Sequence, residues 1–213
     1  MNRIFLLSPA HCGGKRAKQV LSPKAAFPLA EQLRSNDGAR LGDIFSFVSG
    51  LYFRGKLTYA RRFAAPDNPA GPSGSGVHII TATAGLREPD TFITLQAMLA
   101  FADGEVDPSN ARYRRPLERS AKALAAEIGP DCDVVLLGSV ASPKYVDVLA
   151  GIFGERLRFP IDFVGRGDMS RGGLLLRKVQ EGVELEYAPV IGTVRHGTRP
   201  PKLPRNVLAH NPA

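Results

Sequence analysis

The residues best suited to chemistry lie in four Gly- and Ser-rich stretches, each placed just after an apolar run. The first, SPAHCGGKR (8–16), holds His11, Cys12, Gly13, Gly14, Lys15 and Arg16. Paired glycines let backbone turn tightly against a ligand, and cations where a helix begins favour an anion. Cys12 sits beside those cations and a helix start, which would lower its pKa with His11 as its nearest base, but as a lone cysteine it is read as a structural bystander rather than a nucleophile. A plain turn with solvated cations is the alternative. The spacing is neither Gly-x-x-x-x-Gly-Lys-Ser/Thr nor Gly-x-Gly-x-x-Gly, so neither nucleoside triphosphate nor dinucleotide binding follows, and no cofactor is expected. In TATAGLREPD (81–90), Gly85 suits a turn, while Asp90 either enters a site or caps the helix TFITLQAMLAFA (91–102). GSVASPK (138–144) offers Gly138 and Ser139 for close approach, Ser142 as a helix N-cap, and then Tyr145. In VGRGDMSRGG (164–173) the forked donors of Arg166 and Arg171 suit phosphate or carboxylate. Asp168 between them is a general base, an acceptor for a sugar hydroxyl, or a local salt-bridge partner.

Four apolar runs must carry these loops: RIFLLS (3–8), VHIITAT (77–83), CDVVLLG (132–138) and RLRFPIDFV (156–164). The first three are nearly continuous, as in strands covered on both faces. Helix patterns lie between them. SPKAAFPLAEQLRS (22–35) opens with Ser22 as N-cap and has Pro28 as a kink. LYFRGKLTYARRFA (51–64) puts Leu51, Leu57, Tyr59, Ala60 and Phe63 toward one side, with Arg54, Lys56, Arg61 and Arg62 off it. YRRPLERSAKALAAEIG (113–129) and SPKYVDVLAGIFG (142–154) complete the set. Alternating strands and helices predict an α/β fold: a three-layer, Rossmann-like domain whose central, mostly parallel sheet is flanked by helices. GGLLLRKVQEGVELEYAPVI (172–191) alternates about its QEG and predicts a C-terminal antiparallel hairpin at one edge. In such a sheet ligands gather at the carboxyl ends of the strands, so the four loops predict one site. Residues 1–194 read as a single domain with a mobile loop at 65–76, and 195–213 as a basic, Pro-rich tail suited to a protein partner.

A formal charge of +8 over 213 residues makes nucleic acid or nucleotide the expected partner. Two cysteines form no disulfide framework, and no Cys-x-x-Cys or His-x-x-x-His spacing offers a metal site. No run approaches the roughly 18–20 apolar residues of a membrane span, so no membrane is expected. The apolar run near the N-terminus is too short for a signal peptide, and a cytoplasmic location follows as the expectation.

The ordered set SPAHCGGKRAK, GLYFRGKLTYA, TATAGLREPD, LGSVASPKYVDVL and VGRGDMSRGG spans most of the chain. It resembles the small Rossmann-like domains that accompany archaeosine and 7-deazaguanine transglycosylase-type enzymes, and related glycosylase-like proteins of phage defence. Thr83-Ala84-Gly85-Leu86 with Pro89 is the nearest match. The first loop has Ser-Pro-Ala-His-Cys where that family has Ser-Cys-Ser-Lys, and the second segment lacks the usual Ser. The resemblance implies a nucleobase-handling domain, with or without catalysis. An N-glycosylase acting on modified bases would need a pocket for a flipped base, stacking rings, cations for the backbone and a carboxylate to direct water at C1′. Tyr52 with Phe53, or Tyr145, would stack; Lys15, Arg16, Arg54, Lys56, Arg166 and Arg171 would meet phosphate; Asp168 or Asp90 would be the carboxylate. A non-catalytic nucleotide- or RNA-binding module of a modification or defence system is the alternative reading. A nucleotide-dependent small-molecule enzyme is the third.

Overall fold

The computed structural model describes residues 2–69, 71 and 74–201. In chain order the elements are β1 (Arg3–Leu7), α1 (Lys15–Leu21), α2 (Pro28–Arg34), β2 (Ala39–Arg40), α3 (Leu41–Ser49), α4 (Leu51–Phe63), β3 (Val77–Thr81), β4 (Gly85–Arg87) and β5 (Phe92–Ile93). Then come α5 (Leu95–Asp103), α6 (Ala111–Glu127), β6 (Asp133–Leu137), α7 (Pro143–Phe153), β7 (Leu157–Pro160), α8 (Asp168–Glu181) and β8 (Tyr187–Pro189).

Six strands form one sheet in the order β4-β3-β1-β6-β7-β8, and β2 pairs with β5 apart from it. The β3/β1, β1/β6 and β6/β7 pairings are parallel, whereas β4 and β8 run antiparallel at the two edges. The continuous apolar runs have the expected cause: both faces of the central strands are covered. On one face Phe5, Leu7, Val135 and Leu137 pack with α1, α3, α4 and α8. On the other, Ile4, Leu6, Val134 and Leu136 pack with α6 and α7. The α/β class and the flanked, mostly parallel sheet are as expected.

Four local expectations are corrected. Residues 168–181, expected as a loop and the first half of a hairpin, form α8; the antiparallel edge is made by β8 against β7. Leu174, Leu175 and Arg171 are buried together, a helical spacing that the apparent alternation concealed. Pro28 starts α2 rather than kinking it, because its missing N–H costs nothing in a first turn. Ser22 instead ends α1. Asp90 caps nothing: Thr94 accepts from the Ala97 N–H to cap α5. Ser142 does cap α7, with Pro143 at its first position.

The segment 65–76, expected to be mobile, lies partly outside the described residues. Its ends are tied to β1 by Ala65, which exchanges backbone hydrogen bonds with Arg3, and by the Gly76 carbonyl, which accepts from Phe5. Of the expected tail, residues 202–213 lie outside the described residues. The part before them is laid on the domain, with Arg195 donating to the Val140 carbonyl at 3.2 Å and Gly197 against Val164. No helix among the described residues is long and apolar enough to cross a membrane.

Candidate functional site

A cavity of about 440 Å³ opens at the carboxyl ends of β1, β3 and β6. Chain order reverses across the sheet at β1, which sits between β3 and β6, and divergent connections there leave a natural crevice. The loop after β1 supplies Ser8, His11, Cys12 and Gly13; α3 and α4 supply Phe45, Ser49 and Tyr52; the loop after β3 supplies Ala82; and α5 supplies Phe101. Ser139, Lys144 and Tyr145 come from the loop after β6 and the start of α7, and Asp168 from the first turn of α8.

The floor is built around Ser8 and Lys56. Lys56 is fully buried on α4, four residues after Tyr52 and three after Phe53, so its stem follows the face those rings bury. Its Nζ lies 4.5 Å from the Tyr52 ring centroid and 4.9 Å from that of Phe53. It reaches the Ser8 carbonyl at 2.6 Å and the Ser8 hydroxyl at 2.8 Å. Burial pushes its pKa down to about 7; the Asp168 carboxylate opposes that shift and the Arg171 guanidinium reinforces it. Gly138 makes room for this pair, since a Cβ there would fall 2.9 Å from the Ser8 Cβ and 3.2 Å from its Oγ. The Tyr145 hydroxyl also approaches Ser8, and burial pushes that phenol up to about 12.

Asp168 stands at the rim with its side chain 69% exposed, 3.5 Å from the Arg171 guanidinium. Arg171 itself is buried: Nε and Nη2 both donate to the Phe163 carbonyl, at 3.3 and 3.0 Å. It fixes the first turn of α8 to the 3-10 turn that follows β7, Ile161–Phe163, and lends charge to Asp168. The Tyr52 hydroxyl is buried beside the same guanidinium; burial pushes the phenol up, and the charge and hydrogen bonding of Arg171 oppose that.

Of the residues singled out from sequence, His11, Cys12, Gly13, Tyr52, Ser139, Tyr145 and Asp168 meet in this cavity. Others do not line it. Lys15 and Arg16 are exposed on the first turn of α1, where Arg16 reaches the Phe47 carbonyl at 3.4 Å. Gly14 is the N-cap of that seven-residue helix, and Arg54 is exposed on α4. Gly85 packs against α6, where a Cβ would meet the Pro116 carbonyl at 2.4 Å. Arg166 donates to the Asp162 carbonyl and faces a separate groove with Met169 and Pro200. Asp90 lies in another cavity and pairs with Arg40 and Arg61. Two expectations fail for physical reasons. Cys12 is not activated: burial pushes its thiol up to about 12, outweighing any helix start nearby. Lys56 is not a surface contact for phosphate but a buried partner of Ser8.

Sequence reasoning missed Ser8, Phe45 and Phe101, while Lys144, read with Ser139 as a phosphate contact, does line the cavity. Ser8 had a signal, as the first polar residue beyond a buried strand. The two phenylalanines had none, because their helical faces read as ordinary core. Among the described residues no group of His, Cys, Asp and Glu is arranged to hold a metal ion. Comparison with protein-family models, with curated proteins and with solved structures finds no match to this chain.

Proposed function

We propose that the protein is nucleic-acid-directed, and that its cavity receives one nucleobase with its sugar and hydrolyses the N-glycosidic bond between them. The observation that carries this reading is the convergence of residues from several separate segments on one cavity. That cavity combines aromatic walls, the Ser8 hydroxyl and a rim carboxylate. Its volume suits a nucleoside-sized ligand, with apolar walls and a few polar groups to orient it. Tyr52 and Tyr145 supply ring surface for a base. Asp168, exposed yet held by Arg171, takes a proton from the water that attacks C1′. The charge of +8 and the resemblance to Rossmann-like nucleobase-handling domains support the same class of ligand.

The test is release of free base from ribonucleosides and from single- and double-stranded oligonucleotides, followed by chromatography. Wild type should release base, and Asp168→Asn should lower the rate by roughly 100-fold or more while leaving binding within about threefold. Equal release by Asp168→Asn would remove the carboxylate from the reaction. Binding without any release would leave the non-catalytic module as the reading.

A further inference from the structure

Cleaving an N-glycosidic bond requires more than a carboxylate for water, because a purine leaves poorly unless it is protonated as the bond breaks. Asp168 cannot serve both ends of the reaction at once. Ser8 lines the cavity, and its hydroxyl oxygen lies 2.8 Å from a lysine that is itself sealed from solvent. When Lys56 carries its proton, its Nζ donates to both the Ser8 carbonyl and the Ser8 Oγ. An Oγ that accepts from Lys56 behind it turns its own hydrogen toward the cavity side, where the Tyr145 hydroxyl approaches it and a bound base would take that contact over. Gly138 keeps that side of Ser8 open, as any larger residue would press on the Oγ.

We infer that Ser8 hands a proton to the departing nucleobase and is recharged by Lys56, the two residues forming a relay through the cavity wall. This inference rests on the N-glycosidic reading above and names the group that acts on its leaving side. As the C1′–N bond breaks, its electron pair goes to the base nitrogen, which takes the Ser8 hydroxyl proton. Ser8 takes a proton from Lys56, which is left as a neutral amine. The attacking water bonds to C1′ and gives its proton to Asp168, and exchange with solvent returns both side chains to their starting forms. Ser8 touches the substrate, whereas Lys56 acts only through Ser8. The charged and titratable groups facing the pair are Asp168 and Arg171 from α8 toward Lys56 and Tyr145 from α7 toward Ser8, while Tyr52 lies on the helix of Lys56 itself. With burial they bring Lys56 to about 7, where charged and neutral forms coexist near neutral pH, the condition for efficient proton transfer.

The experiment compares two ribosides at millimolar concentration: inosine, whose base must be protonated to leave, and 4-nitrophenyl β-D-ribofuranoside, whose aglycone leaves as a stable anion. Lys56→Met and Ser8→Ala should each lower inosine cleavage about 100-fold. Each should lower nitrophenyl cleavage at least tenfold less than that. In wild type, inosine cleavage should also fall as pH rises through 7, and both variants should lose that limb. Asp168→Asn should depress the two substrates alike. Ser8→Ala keeps the test open if Lys56→Met does not fold. Equal losses on both ribosides, no loss on inosine, or a glycosyl adduct on Ser8 by intact mass would each overturn the relay. If the wild type cleaves neither riboside, the N-glycosidic reading itself falls, and the relay with it.

Discussion

At the scale of single residues, burial decides what each functional group can do. Cys12 and Cys132 are both buried, and burial raises their pKa to about 12 and about 11. Neither should react with a thiol-specific disulfide reagent at pH 8 in the native state, and both should react after denaturation; fast native labelling of Cys12 would restore it as a nucleophile. Lys56 gives a prediction with a definite sign. Its folded pKa of about 7 lies below the ordinary 10.5, so between those values the unfolded chain holds a proton that the folded chain lacks. Stability therefore rises with pH across that window; below it the full cost of the buried charge applies, and above it the cost vanishes. The Tm of wild type relative to Lys56→Met should rise from pH 7 to pH 10, and a flat difference would show that Lys56 keeps its ordinary pKa. The sequence reading set Lys56 off the apolar side of α4, and the structure buries it. Its spacing from Tyr52 and Phe53 puts it on their face, but a lysine on an apolar face usually bends outward to water. Only a polar floor at Ser8 lets it stay inside.

At the scale of elements, the site depends on how closely α4 and α8 approach. Gly55 and Gly172 face each other there: a Cβ on Gly55 would fall 2.7 Å from the Gly172 carbonyl oxygen, and one on Gly172 would fall 2.8 Å from the Tyr52 Cα. Those obstacles are backbone, which cannot turn aside as a side chain would. Gly55→Ala should therefore destabilise the protein by about 1–3 kcal/mol, despite the better helix propensity of alanine. Denaturant unfolding measures this, and a neutral or stabilising result would mean that the helices slide apart freely. The same variant moves Asp168 and Arg171 relative to Lys56, so the site should loosen with the packing. In sequence, Gly172-Gly173 looked like part of a flexible loop. The helix there is set by packing of Leu174 and Leu175 in the core beside α4 and by Arg171 bonding the Phe163 carbonyl beyond β7, information that no local window contains.

At the scale of the whole molecule, a net charge of +8 should act on any polyanion. Binding to duplex DNA or to RNA should weaken steeply with salt, with a log–log slope of about −0.9 for each phosphate neutralised on duplex. A slope near zero would place the ligand in the cavity alone, without a nucleic-acid backbone across the surface. Several features were already determined by the sequence. Continuous apolar runs at 3–8, 77–83 and 132–138 required strands covered on both faces. Alternation with helices required a mostly parallel sheet, and the loops at the strand ends located the cavity. These follow from patterns only a few residues long, because strand burial and helix capping are local in sequence. Tertiary structure alone decided which groups share an environment. It sealed Lys56 behind Ser8, raised the thiol of Cys12, turned Arg171 inward to the Phe163 carbonyl and drew Asp90 away to Arg40 and Arg61. The reason is that desolvation and hydrogen bonding depend on atoms brought from distant parts of the chain. Ser8 and Lys56, 48 positions apart in the chain, come within 2.8 Å only when β1 and α4 pack.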